Sequence, residues 1–535
     1  MPHPIRPGRT AVLAAASLFA IPALAGCGGG SDDADKGERT ATATPSAGGA
    51  TGGAVGGTGE GKSALPAALS GQRLSWSSCP APSAAQGTAK APGKGWECAT
   101  MKAPLDYAKP KGETVGVALI RKKATDADRR IGSLVYNFGG PGASGVATLP
   151  QAAEDYTKLN ASYDLVSFDP RGVGNTTTVK CLDDKTLDTD PGSGDALKDI
   201  KRHTRACVKN SAKVLPHVGT ATTARDMDLM RQVLGDKKLN YFGISYGTEL
   251  GGVYAHLFPK NVGRTVFDAV VDPTRDPVRS GLAQAEAFQK ALESAMAYCA
   301  EEYAENCPTG KNAAEGNRRI NAMLAELDKK PAPTEGDRKL TKDLALTAIR
   351  ATLYEGEEGW DILAQSLAEV MGDDGTGTSL LMIADLYNGR DDKGRYSNMH
   401  AANGAITCAD TRSRHSRADV DAERPAFEKA SPVFGPSMVE GLLGCSQWPV
   451  RGTADKPEVS APGAAPIVVV GNTGDPATPV AGARRMARQL GKGVGVNLTV
   501  EGEGHGTYGD NRCATKAIDT FLIDGKAPAD GTVCK

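Results

Sequence analysis

The sequence predicts an α/β fold in which a mostly parallel sheet is flanked by helices and carries an inserted helical cap. From Leu65 onward, short apolar runs alternate with helical stretches, which is typical of a parallel sheet covered by helices. Several of these runs are apolar throughout, as expected of strands buried on both faces. The strand signal disappears over residues 274–405, where apolar residues recur at helical spacing. That segment is the predicted cap.

Residues 1–26 are predicted to be a lipoprotein signal peptide. Arg6 and Arg9 precede an apolar run, Thr10 to Ala25, that is too short to span a membrane. The run ends in Leu24-Ala25-Gly26-Cys27, which resembles the lipobox of bacterial lipoproteins, where the cysteine receives a lipid. An ordinary signal peptide followed by an incidental cysteine is the alternative. With a lipid on Cys27, we expect the protein at the extracellular face of the cell membrane, with some of it also released.

Residues 27–64 are predicted to form a flexible linker, because glycine, alanine, threonine and serine cannot bury enough apolar surface to fold. The net charge of −1 over 535 residues offers no basic footprint for nucleic acid. We expect a monomer that contacts the membrane only through its lipid anchor.

The sheet domain is predicted in two parts, residues 65–273 and 406–535, on either side of the cap. Its predicted strands are Thr114 to Ile120, Ser133 to Phe138, Tyr163 to Phe168, Leu239 to Ile244, Arg264 to Val271, Pro466 to Val470 and Val496 to Val500. Its predicted helices include Asp226 to Leu234 and Pro479 to Leu490. Helical patterns in the cap cover Leu282 to Glu302, Glu315 to Leu327, Thr341 to Tyr354 and Trp360 to Val370.

Eleven cysteines divide into Cys27 and an even set of ten. An even set in an exported chain favours disulfides, and the spacing offers no zinc site. The sequence does not fix the connectivity, although pairing neighbours in order would give five short local loops. The ten candidates are Cys79, Cys98, Cys181, Cys207, Cys299, Cys307, Cys408, Cys445, Cys513 and Cys534.

The candidate nucleophile is Ser245, in Gly243-Ile244-Ser245-Tyr246-Gly247. A predicted strand precedes this pentapeptide and a helix-like run, Thr248 to His256, follows it. Strand, sharp turn and helix are what a nucleophile elbow requires, and the flanking glycines let the backbone turn. The pentapeptide alone is weak evidence in a chain with 65 glycines, so other residues must support it.

Asp475 and His505 complete a predicted catalytic triad in the chain order of α/β-hydrolases. Asp475 follows a predicted strand, at the edge of the sheet where functional loops gather. His505 follows the last predicted strand in Gly504-His505-Gly506, where a flexible loop can bring its imidazole between the other two residues. For Asp475 the alternative is a turn that caps the next helix.

The oxyanion donors are predicted to be backbone amides, since these are rigid and already oriented. One is the amide of Tyr246, directly after the nucleophile. The other is expected in Gly139-Gly140-Pro141-Gly142, where we favour Gly140, and where a plain tight turn is the alternative. The mechanism requires no metal and no organic cofactor.

Five motifs together resemble the tripeptidyl aminopeptidase and proline iminopeptidase branch of the α/β-hydrolases, over about residues 75–535. They are Phe138-Gly139-Gly140-Pro141-Gly142, Phe168-Asp169-Pro170-Arg171-Gly172-Val173-Gly174, Gly243-Ile244-Ser245-Tyr246-Gly247-Thr248, Asp475-Pro476-Ala477-Thr478-Pro479 and Gly504-His505-Gly506. The chain is most similar to the exported tripeptidyl aminopeptidases of actinobacteria, and the segment Ala405 to Asp410 belongs to the match. The sequence departs from the proline iminopeptidase motif at Phe138, where those enzymes commonly have histidine.

The resemblance implies an α/β-hydrolase fold, the triad Ser245, Asp475 and His505, and hydrolysis of peptides from a free N-terminus. An aminopeptidase must also bind the substrate α-ammonium, for which a carboxylate in the cap is the expected partner. The candidates surround Trp360 and are Glu355, Glu357, Glu358 and Asp361. A solvated helix face is the alternative for this acidic run. A lipid-anchored carboxylesterase and a non-catalytic surface-binding lipoprotein are the competing functions.

Overall fold

The computed structural model describes residues 65–87, 89–189, 193–373 and 375–535. The predicted signal peptide, the linker and Cys27 lie outside the described residues. None of the helices in the described ranges combines the length and the apolar character that a membrane span needs.

The described residues form one ten-stranded sheet. Its strands are β1 Ser77–Ser78, β2 Trp96–Pro104, β3 Thr114–Lys122, β4 Gly132–Asn137, β5 Tyr163–Phe168, β6 Leu239–Ile244, β7 Val262–Asp268, β8 Ile467–Gly474, β9 Gly495–Glu503 and β10 Thr532–Cys534. In space they follow the order β1-β2-β3-β5-β4-β6-β7-β8-β9-β10. Pairing is antiparallel from β1 to β5 and parallel from β5 to β10. The mostly parallel sheet predicted from the sequence is confirmed.

The predicted strand Arg264 to Val271 is shifted in the structure, where β7 ends at Asp268. Ala269 has φ of 53°, a left-handed conformation that interrupts the extended backbone. The shift matters because it places Asp268 at the carboxyl end of a parallel strand instead of in its interior.

Seven α-helices precede the cap in the described residues: α1 Ala67–Ser70, α2 Gly145–Ala152, α3 Thr157–Asn160, α4 Asp184–Thr189, α5 Ala196–Ser211, α6 Thr220–Val233 and α7 Tyr246–Leu257. Between β7 and β8 lie α8 Pro277–Tyr303, α9 Ala313–Lys329, α10 Lys342–Tyr354, α11 Glu357–Met371, α12 Thr378–Tyr387, α13 Met399–Asp410, α14 Arg417–Ala430 and α15 Gly435–Glu440. Two more follow, α16 Ala481–Leu490 and α17 Arg512–Asp524.

Helices cover both faces of the parallel sheet. Alternate side chains of β4 point to opposite faces, so Val135 joins one core while Leu134 joins the other. Helices α6, α7 and α16 pack on the first face, and α2 and α17 pack on the second. These layers bury β4 and β5 completely and leave the loops at the strand ends to form a site.

The helices between β7 and β8 build a separate cap core, in which α8 to α12 contribute most of the buried apolar side chains. The predicted boundary at residues 405 and 406 falls inside α13, whose Ala402, Ala405 and Ile406 belong to the core beneath the sheet. Helices α14 and α15 return to pack against α8. The chain therefore leaves the cap, touches the sheet domain at α13 and contacts the cap again before β8.

Five disulfides join the ten candidate cysteines in sequence order. The bonds are Cys79–Cys98, Cys181–Cys207, Cys299–Cys307, Cys408–Cys445 and Cys513–Cys534. Each closes a local loop, and the Cys408–Cys445 bond fastens the end of α13 to the segment that follows α15.

Candidate active site

Ser245 occupies a sharp turn between β6 and α7. Its φ and ψ are 57° and −124°, a conformation that costs an L-residue about 1–3 kcal/mol. Both flanking glycines are required sterically. A Cβ at Gly243 would lie 2.5 Å from the carbonyl oxygen of Gly247, and one at Gly247 would lie 2.4 Å from that of Asn137. The structure therefore forms the elbow that the sequence predicts, with the start of α7 pressed against the end of β4.

Asp475 and His505 form the most direct polar contact of the site. Their parent strands end together, because Gly474 pairs with Glu503 across β8 and β9. His505 Nδ1 lies 2.9 Å from each carboxylate oxygen of Asp475, and both side chains are fully buried. Asp475 also accepts hydrogen bonds from the amides of Ala477 and Thr478 and from the Thr478 hydroxyl, at 2.9, 2.8 and 2.7 Å. These donors fix the carboxylate before any substrate binds.

The histidine loop is connected to the nucleophile through Asp268. The backbone carbonyl of Asp268 accepts a hydrogen bond from the Ser245 amide at 3.0 Å. Its carboxylate accepts bonds from the amides of Thr507 and Tyr508, at 3.0 and 3.1 Å, and from the Thr507 hydroxyl. One residue therefore holds both the elbow and the loop that carries His505. Burial raises the pKa of Asp268.

His505 Nε2 is the nitrogen that remains for the proton of Ser245. It is buried and makes no hydrogen bond within the described residues. The Ser245–His505 hydrogen bond that the mechanism requires is thus not formed in this structure. Such bonds are commonly long in substrate-free hydrolases and shorten in the complex.

The cap contributes directly to the position of His505. The His505 amide donates to the Tyr354 carbonyl at 2.8 Å, and the two rings meet edge to face with centroids 5.0 Å apart. Gly356, with φ of 59°, lets the chain after α10 approach the backbone of Glu503, which a Cβ would meet at 3.0 Å. The end of α10 therefore fixes the height and tilt of the imidazole.

The glycine loop after β4 lies beside the elbow. The Gly139 amide is occupied by a hydrogen bond to Asn137 Oδ1 at 3.0 Å, which leaves the next amide, that of Gly140, as the candidate donor. The Tyr246 amide belongs to the first turn of α7 and has no acceptor within the helix. Asp169 supports this region by accepting from the Ser144 hydroxyl and the Val146 amide at the start of α2.

A cavity of about 2100 Å³ lies between the sheet domain and the cap. Pro141 of the glycine loop, Tyr246 and Thr478 form its wall next to the predicted triad. Gln284 and Arg350 contribute from the cap side. The cavity therefore begins beside the predicted triad, although Ser245, Asp475 and His505 are not among its lining residues.

Known proteins are similar in sequence to most of this chain. Residues 431–534 match a family model described as TAP-like protein. Serine protease Hip1 of Mycobacterium tuberculosis strain H37Rv is 35% identical over 488 residues, which cover 87% of this chain and 91% of that protein. Tripeptidyl aminopeptidase of Streptomyces lividans is 31% identical over 458 residues, which cover 82% of this chain and 83% of that protein.

The chain belongs to the tripeptidyl aminopeptidase-like branch of the α/β-hydrolases. It is a serine peptidase of that superfamily, and the predicted α/β-hydrolase fold with its helical cap is the fold observed. The branch also includes a protein named carboxylesterase B from the same Mycobacterium strain, 33% identical over 456 residues that cover 82% of this chain and 86% of that protein.

In this tripeptidyl aminopeptidase-like hydrolase, the four predicted cap acids lie at the turn after α10 and in α11, and none of them lines the large cavity. Asp361 accepts hydrogen bonds from the hydroxyls of Tyr298 and Tyr303, at 2.9 and 2.8 Å. Glu357 and Glu358 are exposed in the first turn of α11. Glu355 lies nearest to His505, and burial together with Glu358 and Asp510 raises its pKa to about 7.

Asp268, Thr507 and Tyr354 are site residues that the sequence did not reveal. A usable signal existed for Asp268, since an acid directly after an apolar run often marks the carboxyl end of a parallel strand. Thr507 acts through its amide and hydroxyl, and Tyr354 acts through its carbonyl and its ring; these contacts leave no pattern in the sequence.

Proposed function

We propose that this protein is an exported serine aminopeptidase that removes short peptides from a free N-terminus. The hydrogen-bonded pair of Asp475 and His505, at the same sheet edge as the strained turn of Ser245, carries the proposal. The relative named tripeptidyl aminopeptidase supports the choice of reaction.

The proposed reaction passes through an acyl-enzyme. Asp475 binds Nδ1–H of His505 and so leaves Nε2 as the base that takes the proton of Ser245. The serine oxygen attacks the scissile carbonyl, and the amides of Gly140 and Tyr246 bind the oxyanion. His505 then protonates the leaving amine, and afterwards activates a water molecule that releases the peptide from Ser245.

The cavity supports a peptide substrate over a small ester. Its volume of about 2100 Å³ exceeds the ~300–1000 Å³ typical of small-molecule sites. It extends from Pro141 and Tyr246 to the opposite end of α7, so it can hold several residues of an extended chain.

Export and membrane anchoring complete the proposal. All ten cysteines of the described residues are joined in disulfides, which is the pattern of a protein from an oxidising compartment. The lipobox at Cys27 supports attachment to the outer face of the membrane, with peptides outside the cell as substrates. Metabolic labelling with a lipid precursor, compared between the natural protein and Cys27→Ala, tests the anchor.

Three substrates test the reaction: a free tripeptide anilide, its N-acetylated twin and a short p-nitrophenyl ester. An aminopeptidase cleaves the free anilide in preference to the acetylated one, and Ser245→Ala removes that activity. Equal cleavage of both anilides would rule out exopeptidase action. The relative named carboxylesterase B makes ester hydrolysis the second candidate, and turnover of the ester alone would favour it.

A further inference from the structure

One face of α7 continues from the nucleophile into the cavity. Tyr246, Glu249, Val253 and Leu257 recur at helical spacing along this face, and all of them line the cavity. Glu249 lies four residues after Ser245, one helical turn or about 5.4 Å along the axis. An acidic side chain is therefore placed in the substrate space immediately beside the reacting centre.

The carboxylate of Glu249 has no compensating partner. No described side chain or amide donates a hydrogen bond to it, and the charged group that acts on it is another acid, Asp410. Burial and the proximity of Asp410 raise the pKa of Glu249 to about 8, while burial raises that of Asp410 to about 6. Two acids thus lie within electrostatic range of each other, and no cation is among the groups that act on them.

Asp410 is held firmly in this arrangement. Its carboxylate accepts from the Thr220 amide at 2.9 Å and from the Thr220 hydroxyl at 2.6 Å. Gly219 permits the approach, since a Cβ there would lie 2.9 Å from Asp410 Oδ1. The Thr220 oxygen is in turn 2.5 Å from the hydroxyl of Tyr246. The acid pair is therefore tied to the residue whose amide is the candidate oxyanion donor.

Two arginines of the cavity wall pair with other acids. Arg275 pairs with Asp272 at 3.1 Å, and Arg338 pairs with Asp385. Burial, with a smaller contribution from nearby Arg350, lowers the pKa of His400 to about 4. No cation is among the charged groups that act on Glu249 or Asp410, so a positively charged ligand can supply that charge.

We propose that Glu249 and Asp410 bind the ammonium group of the peptide substrate, and that this group is its free N-terminus. The inference rests on the proposed aminopeptidase function and deepens it. An extended chain advances about 3.3–3.6 Å per residue, so in a tripeptide the α-ammonium lies about 9–10 Å from the scissile carbonyl. A glutamate side chain that starts one helical turn from Ser245 can extend over that span. The cap acids predicted from the sequence are not required for this contact.

A lysine side chain also carries an ammonium group, so the test must distinguish binding of the substrate N-terminus from binding of a substrate lysine. The first substrate pair is a tripeptide anilide and its des-amino analogue, which lacks only the α-ammonium. The second pair carries lysine or norleucine at one position, both with a free N-terminus. The ratio of kcat/KM within each pair measures how strongly each ammonium is recognised.

Glu249→Gln and Asp410→Asn are the test variants. Glu458→Gln is the matched control, because it removes one carboxylate at the opposite end of the same cavity, beside His256. Glu355→Gln tests the rival acid near His505. Thermal melts establish that each variant is folded, and Glu249→Gln alone decides the outcome if Asp410→Asn fails to fold.

We expect Glu249→Gln to lower the free to des-amino ratio by about 10- to 100-fold, the effect of losing a charge-assisted hydrogen bond. Glu458→Gln and Glu355→Gln should keep the ratio of the natural protein. The inference would be overturned if Glu249→Gln left the free to des-amino ratio unchanged, or if Glu355→Gln lowered that ratio instead. It would also be overturned if Glu249→Gln lowered only the lysine to norleucine ratio. If the natural protein itself shows no preference for the free peptide, the proposed function fails instead.

Discussion

The carboxylate of Asp268 accepts hydrogen bonds from both the amide and the hydroxyl of Thr507, each at 3.0 Å. The backbone carbonyl of the same aspartate accepts a hydrogen bond from the Ser245 amide. A single buried residue at the end of β7 thus sets the distance between the elbow and the loop of His505. We expect activity in this hydrolase to depend on that connection as well as on the three residues of the proposed triad.

Asp268→Asn is expected to lower kcat by about 10- to 100-fold, equivalent to about 1.4–2.7 kcal/mol, with a smaller change in KM. An amide nitrogen would face the donors of Thr507 and Tyr508 and would push the histidine loop away from Ser245. Steady-state kinetics on the tripeptide anilide measures the effect. Asp510→Asn, in the same loop but exposed, serves as control, and equal kcat in the two variants would contradict this role.

Thr478→Val is expected to reduce kcat by about 3- to 30-fold. Valine keeps the volume but removes the hydroxyl that donates to Asp475 at 2.7 Å, so the buried carboxylate loses one of its donors. Thr478→Ser retains the hydroxyl and should recover most of the rate. The role of the hydroxyl is refuted if the valine and serine variants have the same kcat.

Gly247→Ala is expected to reduce kcat/KM by about 100-fold or more, in the range of losing an oxyanion donor. The added Cβ would lie 2.4 Å from the Asn137 carbonyl and would separate the start of α7, with Tyr246, from the end of β4, which leads into the loop of Gly140. Gly336→Ala is the control, since a Cβ there meets nothing within 4 Å. Full activity of Gly247→Ala would show that activity does not require contact between the start of α7 and the end of β4.

The stability of Glu249→Gln relative to the natural protein should depend on pH. The pKa of Glu249 is raised to about 8, so the folded state holds this proton more tightly than the unfolded chain does. Its contribution is complete below the unfolded pKa and is lost as the pH rises through about 8. Glutamine, which resembles the neutral acid, avoids that loss.

Melting curves at pH 4 and pH 9 test the expected direction of this stability difference. We expect equal Tm values at pH 4 and a Tm about 1–3 °C higher for Glu249→Gln at pH 9. Glu458→Gln should show no such divergence, because its carboxylate is exposed. A difference that is the same at both pH values would mean that Glu249 carries no unfavourable charge in the folded protein.

The sequence predicted the centre of the sheet better than its edges. Tyr163–Phe168 and Leu239–Ile244 were predicted with their observed ends, because each is a short run rich in apolar and aromatic residues between polar or small ones. Trp96–Pro104 was missed, since it pairs antiparallel near the edge and mixes polar with buried side chains. Thr532–Cys534 is too short to leave a pattern.

Local motifs predicted the residues of the proposed triad but not the contacts that position them. Ser245 and His505 are flanked by glycines, Asp475 is followed by a proline, and each of the three comes after a predicted strand. The link from Asp268 to Thr507 joins positions 239 residues apart, which no local pattern encodes. For the same reason the acidic run around Trp360 suggested an ammonium site in the cap, while Glu249 and Asp410 meet only in the folded chain.

Labelling with a fluorophosphonate, followed by peptide mass spectrometry, tests the central claim most directly. The reagent reacts with a serine only where a neighbouring base and an oxyanion site activate it. We predict one modified residue, Ser245, no labelling in Ser245→Ala, and labelling at least about 100-fold slower in His505→Ala. Modification of a different serine, or a rate at Ser245 that does not depend on His505, would contradict the proposed triad.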